Sequence, residues 1–396
     1  MISKRIQSIE ESSTLAMAKK SRELTSKGKN IINLSLGQPD FNTPNFIKKA
    51  AKKAINENYS TYTPVPGYQE LQKTISEKFK RDNNLNYSEK QIVCSTGAKQ
   101  SLMQLFLTIL NPGDEIIICA PYWVSYYQMI KFAKASPVVI KTNIDNDFKI
   151  TSQKLKKYIS KKTKAFLINS PSNPSGAVYS RKELKELAAV LKKYPDTIVI
   201  SDEIYEHINF TKEKNYSIGE FLSTKKQVVT INGLSKGFAM TGWRLGYLGA
   251  PIDIANGCIK IQGQFTSGTC SITQRAAITA LSEKPDFTKK MNTKFKSRRD
   301  MAINCLSNIP NIKFKIPDGA FYIFIDFSFY FRKNFKNKKI KNNDNLSMFL
   351  LQNAEVATVS GSAFGDKNCI RISIASSKKE LKNAILRIEK ALKKLT

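Results

Sequence analysis

Histidine is almost absent from this chain of 396 residues: there is one, His207. A zinc site built on imidazoles is therefore not expected. The six cysteines (Cys94, Cys119, Cys258, Cys270, Cys305 and Cys369) are scattered, with no CxxC or metal-like spacing, so no metal centre is expected from them either. No apolar run approaches the roughly 20 residues that a membrane-spanning helix needs. The N-terminal "MISKRIQSIEESSTLAMAKK" lacks the uninterrupted apolar core of a secretory signal. These absences predict a reduced, cytoplasmic enzyme with no membrane partner. Acidic residues are scarce too: 32 Asp and Glu stand against 64 Lys and Arg, a formal net charge of +32. Arginine supplies only eleven of the 64. Nucleic-acid surfaces favour arginine, aromatic platforms and a localised stripe, whereas these lysines are spread over nearly every helical segment. The charge reads as solvated lysine-rich faces, with weak polyanion binding as the alternative and no specific nucleic-acid partner. The densest run, "RKNFKNKKIKNNDN" (332–345), reads as an exposed loop.

What is present is an α/β alternation. The β-rich runs "IVCS", "EIIICA", "AFLIN", "TIVISD", "VVTIN" and "LGYLGA" alternate with amphipathic helical stretches such as 98–111 and 181–194. Short apolar strands joined by helices predict a mostly parallel sheet covered on both faces. After about residue 285 a long charged helix (286–307) leads to "GAFYIFIDF", "VATVSG" and "CIRISIA", the texture of a smaller α+β unit. Three parts are expected: a large α/β domain over 46–285, a small α+β domain over 286–396, and an N-terminal segment, 1–45, packed with the small domain.

Ligands of open α/β sheets sit at the carboxyl ends of strands, and the unusual residues of this chain fall there. Asp202 ends "TIVISD", with Tyr205 close behind. Asn173 lies in the turn "SPSNPSG", and "STGAKQ" (95–100) joins a strand to a helix. Lys236 follows "VVTINGLS" and is set among small and apolar residues, unlike most lysines of the chain. Taken singly, each has an ordinary explanation: a snorkelling lysine, a capping aspartate, a turn asparagine, a core tryptophan at Trp123. Their convergence on one edge is what suggests chemistry.

The segment "GLSKGFAMTGWRLG" (233–246) resembles the lysine-attachment signature of the class I and II aminotransferases, within fold type I of the pyridoxal-phosphate enzymes. "LGQPDF" (36–41), "YTPVPGYQEL" (62–71), "PYWVSY" (121–126), "NSPSNPSGAVY" (169–179), "SDEIYEH" (201–207), "DGAFYIF" (318–324) and "IRISIA" (370–375) follow in the family's order. The likeness covers nearly the whole chain and is greatest to the bacterial aspartate and prephenate aminotransferases. It implies a large domain with a mostly parallel seven-stranded sheet, pyridoxal 5′-phosphate as cofactor, and a homodimer with shared active sites.

By the same resemblance, Lys236 carries the Schiff base and afterwards moves the substrate Cα proton. Asp202 pairs with the pyridinium nitrogen, Tyr205 and Asn173 bond the ring's O3′, and Trp123 stacks on the ring. Gly97, Ala98, Lys99, Ser235 and Arg244 surround the phosphate, with Tyr62 reaching it from the neighbouring subunit. Arg371, with Gly37 and Asn173, holds the substrate α-carboxylate; Lys99 and Thr14 lie toward the distal one, and Trp123 borders the substrate. The implied reaction is ping-pong transamination of aspartate with 2-oxoglutarate. Prephenate or aromatic transamination is the alternative, followed by a C–S lyase of the same fold. A DNA-binding regulator of this fold would carry a helix-turn-helix domain ahead of "LGQPDF", and that motif begins at residue 36. The chain departs from its relatives in "GQFTSGTCS" (263–271), where Phe265 and Thr269 replace an expected serine and proline, and at Gly237, commonly alanine. Those departures bear on side-chain specificity.

Overall fold

The computed structural model describes residues 1–7, 9–282 and 286–396. Among these, seven strands form the main sheet: β1 (Ile92–Ser95), β2 (Glu115–Ala120), β3 (Ser136–Lys141), β4 (Thr163–Asn169), β5 (Ile198–Asp202), β6 (Val228–Gly233) and β7 (Gly246–Gly249). Their spatial order is β1-β7-β6-β5-β4-β2-β3. Only β7 runs against its neighbours β1 and β6; every other pairing is parallel. This is the mostly parallel α/β sheet that the alternation of apolar runs and helices predicts.

Strand periodicity of two explains the two cores. Ile116 and Ile118 of β2, Leu167 of β4 and Ile200 of β5 face helices Ala98–Ile109, Val124–Phe132 and Ile252–Phe265. Ile117, Phe166 and Val199 face the other way, onto Leu155, Leu184 and Leu187. Strands buried on both faces are apolar throughout, which makes these runs conspicuous in the sequence. The edge strand β3 does not stand out as an apolar run in the sequence. It contains Pro137, which an edge tolerates, and it is only partly buried.

A second, antiparallel sheet contains β8 (Lys313–Phe314), β9 (Tyr322–Asp326), β10 (Val359–Ser360) and β11 (Cys369–Ser373), in the order β10-β11-β9-β8. The stretch "VATVSG" reads as one strand but divides at Thr358. Val356–Ala357 pairs in parallel with Ile32–Asn33 of the N-terminal segment, while Val359–Ser360 joins β11. Leu34 enters the same core as β9 and β11. The long helix spans Asp286–Leu306; the expected boundary at residue 285 falls within 283–285, outside the described residues.

The basic run 332–345 differs from the expected loop. Asn334–Phe335 pairs antiparallel with Lys338–Lys339 around Lys336 and Asn337, both at positive φ, and helix Asn343–Asn353 starts inside the run. Two left-handed residues form the turn that a two-residue hairpin needs. Phe335 gives the hairpin its anchor, packing edge-on against Phe349 with ring centres 5.1 Å apart. No described helix is long and apolar enough to cross a membrane.

Candidate active site

Because β7 is reversed, its amino end lies at the same sheet edge as the carboxyl ends of β1 and β6: Gly246 is in register with both Ser95 and Gly233. Residues that follow β1, β2, β4, β5 and β6 and the residue that precedes β7 therefore meet. They line a cavity of about 370 Å³ that contains Thr14, Gly37, Ala98, Lys99, Trp123, Asn173, Asp202, Tyr205, Ser235, Lys236, Arg244 and Arg371. Gly97 sits immediately behind it as the residue before helix Ala98–Ile109. Tyr62 is the exception. It is 96% exposed and does not border this cavity.

The first turn of helix Ala98–Ile109 shows how local sequence makes a binding surface. Helices Arg181–Leu191 and Lys378–Leu392 begin with serine–glutamate capping boxes that occupy their first N–H groups. Helix Ala98–Ile109 begins at Gly97 with no side-chain cap, leaving a positive helix end turned toward the cavity. Gly97 has φ 86°, a conformation that glycine adopts without strain, and a Cβ there would overlap the Arg244 guanidinium. Arg244 is itself left-handed at φ 56°, held by bonds from its guanidinium to Thr241 O (2.8 Å) and Thr96 O (3.3 Å).

Asp202 is the only carboxylate lining the cavity among the described residues, against Lys99, Lys236, Arg244 and Arg371. It accepts bonds from the Tyr126 hydroxyl (2.5 Å) and the Ile204 N–H (3.2 Å). Burial pushes its carboxyl up to about 6 against these bonds and the charge of Lys236. Lys236 donates to Gly37 O at 2.5 Å. Burial, then the charges of Arg371 and Arg244, bring its amine down to about 8. Such an amine releases its proton far more readily than an exposed lysine. Lys99 is lowered by burial and by Arg244, and its ammonium lies 5.1 Å from the centre of the Trp123 ring.

Arg371 projects from β11 and is 1% exposed. Its terminal nitrogens donate to Asn173 Oδ1 (3.0 Å) and Ser35 O (2.6 Å). The guanidinium lies 4.3 Å from the Tyr322 ring centre and 5.0 Å from that of Phe364. Its Nε–H has no partner. A buried cation on the wall of a cavity calls for an anion that brings its own oxygens.

Sequence reasoning missed four contributors. Tyr126 bonds Asp202; Tyr322 bonds the Tyr205 hydroxyl at 2.9 Å and underlies Arg371; Asn169 bonds Asp202 O at 2.9 Å; Ser35 holds Arg371. Tyr126, Tyr322 and Asn169 lie inside the motifs 121–126, 318–324 and 169–179, so their place was visible and their partners were not. Ser35 precedes "LGQPDF" and acts through its backbone, which no side-chain pattern announces.

The family model for aminotransferase class I and II matches residues 29–388. A probable aspartate/prephenate aminotransferase of Rickettsia felis is 43% identical over 393 residues, 99% of this chain and 96% of that protein. Among solved structures, the aspartate aminotransferase from Rhizobium meliloti matches with a TM-score of 0.96 at 39% identity, covering 100% of both chains. The aspartate aminotransferase from Thermus thermophilus with maleate gives 0.93 at 34%, covering 99% of each.

Proposed function

This chain belongs to the class I and II aminotransferases, enzymes that work with pyridoxal 5′-phosphate, and from that premise we propose aspartate and 2-oxoglutarate as its preferred substrates, interconverted with oxaloacetate and glutamate in a ping-pong scheme. The observation that carries the reading is the cavity's charge: four cations against one carboxylate, with Arg371 and Lys99 on different elements of its wall. A dicarboxylic substrate can engage two such cations at once. In support, the Thermus thermophilus relative was solved with maleate, a four-carbon dicarboxylate.

The residues fit the cofactor on their own geometry. The uncapped turn at Gly97–Lys99, with Arg244 and Ser235 beside it, offers N–H groups and fixed charge for a phosphate. Asp202, buried and backed by Tyr126, is suited to pair with a ring nitrogen, Trp123 to stack on the ring, and Tyr205 and Asn173 to bond its O3′. When bound, the cofactor supplies an electron sink for a carbanion at the substrate Cα. Lys236 would hold it through Nζ and, once released, take the proton from that Cα and pass it to the cofactor carbon that Nζ had occupied. Arg371 would grip the α-carboxylate while Asn173 and Gly37 orient it. Lys99 would bind the distal carboxylate, with Thr14 nearby.

Tyr62, exposed and aromatic, supports a homodimer in which it reaches the partner's phosphate site. The separate sheets support the three-part division 1–45, 46–285 and 286–396, with Ile204, Tyr205, Ile208 and Phe210 of the large part packed into the core of the small one. Six free thiols are in keeping with a cytoplasmic enzyme. Prephenate stands as a second substrate, because the Rickettsia felis relative carries that name and prephenate's extra carboxylate can use the same Lys99.

Rapid mixing of the cofactor-loaded protein with single donors tests the substrate assignment. Aspartate and glutamate are expected to change the cofactor absorbance much faster than phenylalanine, and Lys99→Ala to erase most of that preference. Equal losses for all three in Lys99→Ala would reduce Lys99 to phosphate support. Arogenate outpacing aspartate would make prephenate the leading substrate.

A further inference from the structure

Behind the turn that carries Asp202 and Tyr205 lies a second group of ionisable side chains, none of which borders the cavity. Lys78, on helix Gln69–Asn83, is 1% exposed. Its ammonium donates to Glu206 Oε1 and, at 2.7 Å, to Asn83 Oδ1. Asn83 Nδ2 in turn reaches Glu206 Oε2 at 2.7 Å and Glu203 Oε2 at 3.1 Å. The other oxygen of Glu203 accepts from Ser201 Oγ (2.8 Å) and Ser217 Oγ (2.5 Å). His207 Nε2 stands 3.3 Å from Glu206 Oε1, and its ring lies edge-on to Phe238 with centres 5.5 Å apart.

Two features link this group to the chemistry. The turn alternates: Asp202 and Tyr205 face the cavity, while Glu203 and Glu206 face the network. The network therefore grips the back of the residues whose fronts line the site. The second link runs through His207, which packs so closely on Gly237 that a Cβ at 237 would overlap its ring. Gly237 is the residue after Lys236. The imidazole thus occupies the space that a side chain at 237 would need.

A buried ion pair is weak as a stabiliser, since desolvation cancels most of its attraction. It fixes geometry better than an apolar contact, because each bond is directional. Although burial opposes it, the charge of Lys78 holds Glu206 down to about 2, and burial pushes Glu203 up to about 7. Burial also lowers His207. The core of the network is thus one compensated pair.

We propose that Lys78 is a positioning residue for transamination: with Glu206, Asn83 and Glu203 it fixes the turn presenting Asp202 and Tyr205, and through His207 it fixes the backbone beside Lys236. The proposal rests on the roles given above to those three residues.

The test uses the full-length, cofactor-loaded protein carrying Lys78→Met together with Glu206→Gln, which removes both charges and keeps the volume. Expected are a thermal midpoint close to the parent's, a shifted pH midpoint of the bound cofactor's absorbance, and kcat lowered on the order of 10-fold with KM for aspartate little changed. The single variant Lys78→Met, which strands the Glu206 charge, should lose more. If it does not fold, the double variant still decides. A double variant with parental kcat and absorbance midpoint overturns the proposal, and so does one that fails to fold, since the network would then serve stability alone. Asp202→Asn run alongside separates the layers. Its inactivity beside a normal double variant defeats only the positioning claim, whereas full activity in Asp202→Asn removes the reading on which the claim rests.

Discussion

Arg371 says most, among single residues, about what enters the cavity. Its surroundings contain two aromatic rings, a carbonyl and an amide oxygen, and no carboxylate among the described residues pairs with it. A buried guanidinium left in that state is expensive until an anion arrives. All amino-acid donors share an α-carboxylate, so Arg371→Ala should raise KM for aspartate, glutamate and phenylalanine alike, by roughly 100-fold. Steady-state kinetics with the three donors checks this. A loss confined to the dicarboxylic donors would show Arg371 at the distal end and reverse the orientation proposed for the substrate.

At the scale of elements, the site depends on how β7 meets helix Ala98–Ile109. A Cβ at Gly246 would lie less than 3.0 Å from the Gly97 and Ala98 backbone, where no rotamer change can relieve it. Gly246→Ala should therefore push the helix start away from Arg244, at a cost of about 1–3 kcal/mol. Thermal denaturation and cofactor titration should both register the loss; an unchanged cofactor affinity would separate this turn from phosphate binding. The doubly buried strands were legible in the sequence because they are apolar from end to end, and Asp202 and Lys236 stood out by ending or following them. The edge strand β3 was not, because Pro137 and partial exposure blur its pattern. "VATVSG" concealed its division between two sheets, since both halves are equally apolar and pairing partners are not written locally. Likewise, Glu203, Glu206 and His207 of the Lys78 network stand within "SDEIYEH", but Lys78 and Asn83 lie far away in sequence with no motif to mark them.

The whole molecule combines a heavily lysine-coated exterior with some arginines in built contacts: Arg298 grips Asp40 with two bonds, and Arg371 is enclosed. Tyr62 breaks that pattern as an exposed aromatic, which the proposed dimer explains. Light scattering should give twice the chain mass, and Tyr62→Phe should release the cofactor faster while leaving that mass unchanged. A monomer with full activity would contradict both. Everything proposed for the site depends on Lys236 holding the cofactor. Borohydride reduction of the loaded protein, followed by intact-mass and peptide mass spectrometry, tests it most directly. One added cofactor per chain is expected, on the peptide containing Lys236, with no adduct and no multiple turnover in Lys236→Ala. An adduct on another lysine, or normal turnover in Lys236→Ala, would contradict it.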